Sequence, residues 1–417
     1  MVFRNLYDFV NSTPNAKECA FNIASELECA GFVELDEKKK WEKPNKNVKG
    51  VYVRRGDSIV ALRLHEKIKG FVGVLTHSDS PCFKIKTNPE IKQNGYVKLN
   101  VEPYGGAIYY SWFDKPLSIY GTMVCKDEQL KNLRVNVDTK QEYQVFIPSQ
   151  AIHINREVNS SNNINPQKDM LPVCDIGNED VFLKKIKELT QVRGDILAYD
   201  LSLYNPEPVR KVNLGDSKVV MGPRLDNLAS VYAALMTFAE TEEEANKDYS
   251  QVFVAFNSEE IGSATHDGAD GNFLTSVLER ICNLYEIDKY EAFADSMFLS
   301  IDAAHAIHPN APEKSDPTNI VKFGGGVVIK HNINYANDFE LEAHVKRICV
   351  KSKIKMQDFY SRSDMRCGAT LGNISMSHFG IRTLDIGIPM LAMHSSVETI
   401  DIEDTYQLSN LLYYYFQ

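Results

Sequence analysis

Cysteine is scarce in this sequence, tryptophan occurs twice in 417 residues, no long apolar run is present and basic charge is not in surplus. The eight cysteines, at 19, 29, 82, 125, 174, 282, 349 and 367, contain no C-x-x-C pair. They read as reduced, structurally buried thiols of a cytosolic protein. No stretch approaches the roughly 18 apolar residues of a membrane span, and the runs at 71–75 and 252–256 have strand length. The opening MVFRNLYDFVNSTPNAKECA carries charges and a proline where a signal peptide needs an unbroken apolar region. An unsecreted, cytoplasmic chain with no membrane partner is therefore expected. Lys and Arg number 46 against 56 Asp and Glu, a net charge of −10, which argues against nucleic acid as a partner. Internal repeats and low-complexity segments are absent.

What is present is 43% apolar and 24% charged content, in a chain long enough to bury roughly 75% of its unfolded surface without staples. Its texture changes twice. The first thirty residues have helical periodicity, and 58–64 and 71–77 read as buried strands. From Lys86 to Pro208, short alternating stretches such as 96–101, 133–137 and 143–147 lie between turn-formers, a texture of antiparallel strands. After Pro208, amphipathic helices alternate with short, nearly all-apolar strands: QVFVAFN, MFLSID, GGVVIK and RTLDIGI. Strands apolar on both faces imply an α/β fold, a sheet covered by helices on both faces. The expected organisation is a discontinuous domain over residues 1–85 and 209–417, interrupted by a mostly β insertion over 86–208.

In such sheets, ligands bind beyond the carboxyl ends of strands, and polar residues follow several of these apolar runs. His77 ends FVGVLTH, with Asp79 two residues on; Asp226 lies in GPRLDNL ahead of a helix; Glu259 and Glu260 follow QVFVAFNS; Asp302 ends MFLSID; His394 lies in MLAMHSS. A lone strand-end histidine is ordinarily structural, and a Glu-Glu pair ordinarily opens a solvated helix. Two imidazoles and several carboxylates at the ends of different strands of one sheet are a different matter. They suit a pair of Zn²⁺ ions sharing a bridging carboxylate and water, and without cations the carboxylates would repel one another. Neighbouring Glu259 and Glu260 cannot both address one ion in the same geometry, so one ligates and the other serves as general base and acid. Asp79 is placed to accept the second ring N–H of His77, or else to cap a turn.

The strings HSDSPC, GGAIYYSWFDKPLSIYG, GPRLDNL, SEEIGS, IDAAHAIHPN, GGGVVIK and MHSSVE resemble, in order, the motifs of the aspartyl aminopeptidase family, which includes the vacuolar aminopeptidase I group. The resemblance implies a zinc-exopeptidase-like mixed sheet with an inserted dimerisation domain. It implies metal ligation by His77, Asp226, Glu260, Asp302 and His394, with Asp226 as the bridge, Glu259 as the general base and Asp79 as the acid beside the first ligand. It implies two divalent ions, Zn²⁺ foremost with Mn²⁺ and Co²⁺ as alternatives, and cleavage of an N-terminal Asp or Glu from peptides with a free N-terminus. Lys330, His305 and His308 match substrate-pocket groups. His153 matches a histidine of the insertion that reaches a neighbouring subunit's active site, in dimers assembled into a closed dodecamer. Trp112 and Asp114 match the insertion's packing motif.

The chain departs from the family pattern at Asn257 and Ser258, where an Asp commonly precedes the Glu-Glu pair, at Asn373, where proline is usual, and in TPNAKECA, which lacks a frequent histidine. None of these positions is a proposed ligand; they bear on specificity. Two rival readings stay open at the level of sequence: a related two-metal hydrolase of N-acyl amino acids or modified peptides, and a catalytically silent assembly or cargo protein on the same fold.

Overall fold

In the strand Gly70–His77 every residue is buried, and alternation of side chains decides what each one meets. Val72 and Val74 enter one hydrophobic cluster, Phe71 and Leu75 a second on the opposite face. The neighbouring strand Tyr249–Phe256 divides the same way, with Phe253 and Ala255 on one side and Val252, Val254 and Phe256 on the other. Such strands can lie only inside a sheet covered on both faces. In the computed structural model, which describes residues 2–45, 47–126, 131–161, 163–215, 217–241 and 248–417, that sheet has nine strands. Their order is Phe32–Glu34, Gly50–Arg55, Ser58–Arg63, Tyr249–Phe256, Gly70–His77, Met297–Ile301, Arg382–Gly387, Val327–His331 and Met356–Tyr360. The four strands from Tyr249–Phe256 to Arg382–Gly387 are parallel.

The first cluster is closed by helices Ala16–Cys29, Leu225–Glu240, Phe339–Ser352 and Ile402–Tyr415. The second is closed by Phe273–Tyr285, Lys289–Ala294 and Leu371–Phe379. Side-chain caps start several of them: Asn15 accepts from the Glu18 amide, Asp338 from Leu341 and Asp401 from Glu403. Close packing is visible at Gly73, where an added Cβ would come within 2.5 Å of the Phe298 ring. Phe253, fully buried and stacked on Phe238 with ring centroids 5.8 Å apart, is a sensitive point of this core. Phe253→Ala is expected to cost about 3–5 kcal/mol, read as a lower urea midpoint with an unchanged slope.

The chain divides into two compact units, the first comprising Met1–Asp79, Val209–Met393 and Glu398–Gln417, the second Ser80–Pro208 and His394–Val397. Besides the nine-stranded sheet, the first unit holds a small sheet ordered Arg210–Lys211, Val219–Gly222, Glu398–Asp401, Pro389–Leu391 and Ala304–His305.

The second unit is built on a six-stranded antiparallel sheet ordered Asn132–Asp138, Ser118–Lys126, Ile196–Tyr204, Cys82–Gln93, Tyr96–Tyr104 and Val173–Ile176. Helix Phe182–Thr190 buries Phe182 and Ile186 in its core. The strand Cys82–Gln93 runs across residues 85 and 86 and belongs whole to this unit. Trp112 is buried in the same core, edge-on to Phe83 at 5.1 Å, and Asp114 accepts from the Ser149 amide at 2.8 Å. Residues 143–147, expected as a strand, form only single bridges. Val145 pairs with Leu117, Phe146 with Val173 and Ile147 with Phe113. The alternation there does bury Val145 and Ile147, but the segment meets three partners in turn and never runs beside one.

All eight cysteines are free, and Cys19, Cys125, Cys174, Cys282 and Cys349 are buried. Among the described residues no helix is long and apolar enough to cross a membrane.

Candidate metal centre

The parallel register sets three strand ends beside one another. Phe256 pairs with His77 and Ser300 with Leu75, so the chain leaves the sheet at His77, ahead of Glu259 and at Asp302 along one edge. Asp226 comes from the start of helix Leu225–Glu240, where Asp226 and Asn227 have non-helical backbone and the peptide between them is cis. Glu259 and Glu260 sit on the short turn Glu259–Ile261, flanked by Ser258 at φ 66° and Gly262 at φ 91°. Those left-handed positions turn the chain abruptly after the strand, so the doublet stays next to the His77 strand end.

The side chains converge on His77, which is 1% exposed. Its Nε2 lies 3.2 Å from Asp302 Oδ1 and 3.5 Å from Asp226 Oδ1. Its Nδ1 lies 3.1 Å from the carbonyl oxygen of Asp79 and 3.6 Å from that residue's Oδ1. The nearer partner of the ring is thus the Asp79 main chain, because the chain folds back two residues after the strand. The Asp79 carboxylate accepts instead from the amides of Glu259 and Glu260, at 3.1 Å each. It holds the acidic doublet by its backbone. Lys330, on the strand Val327–His331 and only 2% exposed, donates to Asp302 Oδ2 at 2.9 Å and lies 5.2 Å from the Tyr335 ring.

Electrostatics follow from this crowding. Burial pushes the Glu259 carboxyl up to about 7; His77 opposes the shift, while Asp302, Asp79 and Asp226 add to it. Glu260 is raised too, by burial first and then by Asp226. Asp302 goes the other way: burial disfavours its charge, but Lys330 and His77 outweigh burial and hold it well below the usual range. For His77, burial favours the neutral ring, yet Glu259, Asp226, Asp302 and Asp79 together draw a proton onto it. A proton there answers the same demand for positive charge that a cation would.

That demand tests whether a metal fits. Ligand atoms of His77, Asp226 and Asp302 lie within 4.8 Å of one another, as do those of His77, Glu259 and Glu260. One imidazole nitrogen with hard carboxylate oxygens is a donor set for Zn²⁺, Mn²⁺ or Co²⁺. The residues fit a divalent ion, which would displace the proton from His77 on binding.

The remaining sequence candidates sit on other segments of the chain. His305 ends the short strand Ala304–His305 and His308 follows in a turn, where its Nδ1 accepts from the Asn310 amide; both are exposed. His153 is exposed on a turn of the second unit closed by bonds from the Ile154 and Asn155 amides to the Ala151 carbonyl. His394 also belongs to the second unit. Its Nδ1 lies 3.2 Å from the Gly106 carbonyl oxygen, and a Cβ on Gly106 would meet that nitrogen at 3.3 Å. The second glycine of GGAIYYSW thus leaves room for an imidazole.

Two residues near the centre escaped the sequence reading. Glu398 accepts from the Asp226 amide at 2.9 Å, and Asn227 donates to the carbonyl of Ile301, just before Asp302, at 2.7 Å. Both lie inside strings already singled out, MHSSVE and GPRLDNL, but an acceptor for a main-chain amide leaves no spacing signature.

Known proteins share this arrangement of elements. The family model described as "Aminopeptidase I zinc metalloprotease (M18)" matches residues 9–416. A probable M18 family aminopeptidase 2 of Clostridium novyi is 38% identical over 421 residues, covering 96% of this chain and 95% of its own. The cryo-EM structure of the Ape4 and Nbr1 complex contains a chain 30% identical with a TM-score of 0.91, over 99% of this chain and 84% of that one. The S. cerevisiae mApe1 dodecamer, 23% identical with a TM-score of 0.84 over 98% of this chain and 94% of that one, shares the fold. With a histidine and its carboxylates gathered at the strand ends, and a family match running nearly end to end, the chain belongs to the M18 family of metalloaminopeptidases.

Proposed function

We propose that this aminopeptidase removes an N-terminal Asp or Glu from peptides by a two-ion, activated-water reaction with Glu259 as general base. The observation that carries the reading is the position of Glu259: grouped with His77 and Glu260 yet held by its own amide to Asp79. A carboxylate beside the ligands but held only through its amide keeps its side chain available to take and return a proton. In this reading His77, Asp226, Glu260, Asp302 and His394 would hold the metal, with Asp226 as the acid shared between the ions and Zn²⁺ as the native metal ahead of Mn²⁺ or Co²⁺. The ions, when bound, supply a hydroxide near neutral pH and polarise the scissile carbonyl.

The chain's own residues do the rest. Glu259 accepts one proton from the attacking water as the new C–O bond forms. It returns that proton to the departing nitrogen as the C–N bond breaks, so one water is consumed and an amino acid and a shortened peptide leave. Asp79 keeps the doublet in place through the Glu259 and Glu260 amides. Lys330 brings positive charge beside the metals for an acidic side chain, and has N–H groups to share beyond the one given to Asp302. His305 and His308 are assigned to the outer part of the substrate site. His153 is assigned to a neighbouring subunit's site, in a cytoplasmic homo-oligomer of dimers like the dodecameric yeast relative.

A panel of dipeptides with free amines, each with a different first residue, tests the reading with Zn²⁺, Mn²⁺ or Co²⁺ added. The expected result is cleavage after Asp and Glu well above all other residues. Hydrolysis of N-acyl substrates with no cleavage of Asp- or Glu-initiated peptides would overturn it.

A further inference from the structure

Glu398 is 2% exposed and stands outside the proposed ligand set. Its place is set by the small sheet of the first unit, in which strand Glu398–Asp401 runs antiparallel to Val219–Gly222 with Glu398 opposite Gly222. Gly222 is confined to glycine by packing, since an added Cβ would lie 2.4 Å from Val209 Cγ2. A few residues later the chain reaches Asp226, at φ −80° and ψ 108°, at the entrance to helix Leu225–Glu240. Amides at a helix start have no partner within the helix. That of Asp226 is taken by Glu398 Oε2 at 2.9 Å.

Burying another acid beside Asp226 costs free energy, and the charge-assisted bond to the amide is the visible compensation. We infer that Glu398 is a positioning residue for the metal centre: it holds the Asp226 amide and so sets the main-chain geometry from which that carboxylate points at His77 Nε2. Asp79 treats Glu259 and Glu260 the same way, through both of their amides. Two ligand-bearing turns are then each clamped by a buried carboxylate acting on the backbone. The inference rests on the proposed role of Asp226 as a ligand.

The test uses the full chain, stripped of metal, with Zn²⁺ affinity read by competition against a chromophoric chelator. The carbonyl oxygen of glutamine can accept the same amide, so Glu398→Gln is expected to stay within about threefold of the wild-type affinity, while Glu398→Met, similar in size and without an acceptor, loses about 10–100-fold. Equal affinity in wild type and Glu398→Met overturns the role of Glu398 and leaves the metal reading intact. An equal loss in both variants overturns it too, since charge and not the amide bond would then matter. A wild-type chain that binds no Zn²⁺ overturns both. Should Glu398→Met not fold, amide hydrogen exchange of wild type and Glu398→Gln decides: a protected Asp226 amide in both supports the clamp, and fast exchange in the wild type ends it.

Discussion

Glu259→Gln is expected to lower kcat by about 10²–10⁴-fold, the contribution of a positioned acid–base group, while leaving metal content unchanged. Glutamine keeps the size and hydrogen-bonding reach of the side chain but cannot accept a proton from water or return one to the departing amine. The backbone clamp is untouched, because Asp79 bonds the amides of residues 259 and 260 and not the Glu259 side chain. KM should move little, since the loss falls on the transition state. Turnover with a saturating acidic dipeptide, beside metal analysis of the same preparation, checks this. Wild-type turnover at normal metal loading would remove Glu259 from the reaction.

The second large effect is one of opposite signs. Asp226 is 2% exposed, with Oδ1 3.5 Å from His77 Nε2, and its charge raises both Glu259 and Glu260. Without metal, that charge is a liability, because the carboxylates repel one another in a poorly solvated place. Asp226→Asn is therefore expected to raise the melting temperature of the metal-free protein by a few degrees. With metal the order reverses. A ligand held by the native state alone stabilises by about 4 kcal/mol at a thousandfold excess over its dissociation constant, and the variant should lose most of that gain together with its activity. Thermal unfolding of both proteins, with and without added Zn²⁺, measures all four terms. A variant that melts lower without metal, or gains as much from it as the wild type, would show that Asp226 is structural and not a ligand.

Much of the centre was legible because each of its residues ends or follows an apolar run. His77 and Asp302 close buried strands, Glu259 and Glu260 follow one, and chain chemistry at strand ends is a general property of parallel sheets. The alternation of Phe71, Val72, Val74 and Leu75 between two cores was legible for the same reason, since a strand with both faces apolar has one stable environment. Lys330 was harder. As a strand-end lysine it reads most simply as solvated, and only the order of strands puts it against Asp302. The contact between the Asp79 carboxylate and the Glu259 and Glu260 amides was hidden in another way: sequence spacing speaks of side chains, and here the main chain is the donor.

The sequence alone thus determined the α/β class, the family to which the chain belongs and which acids, with His77, gather at the strand ends, because periodicity and residue type are local properties. The tertiary structure decided which of those groups touch. It pairs Asp302 with Lys330, gives the Asp226 amide to Glu398, and spreads residues 143–147 over three partners instead of one strand. Each of these depends on register and strand order between segments far apart in the chain, and buried groups so placed take whatever partner lies within hydrogen-bond reach.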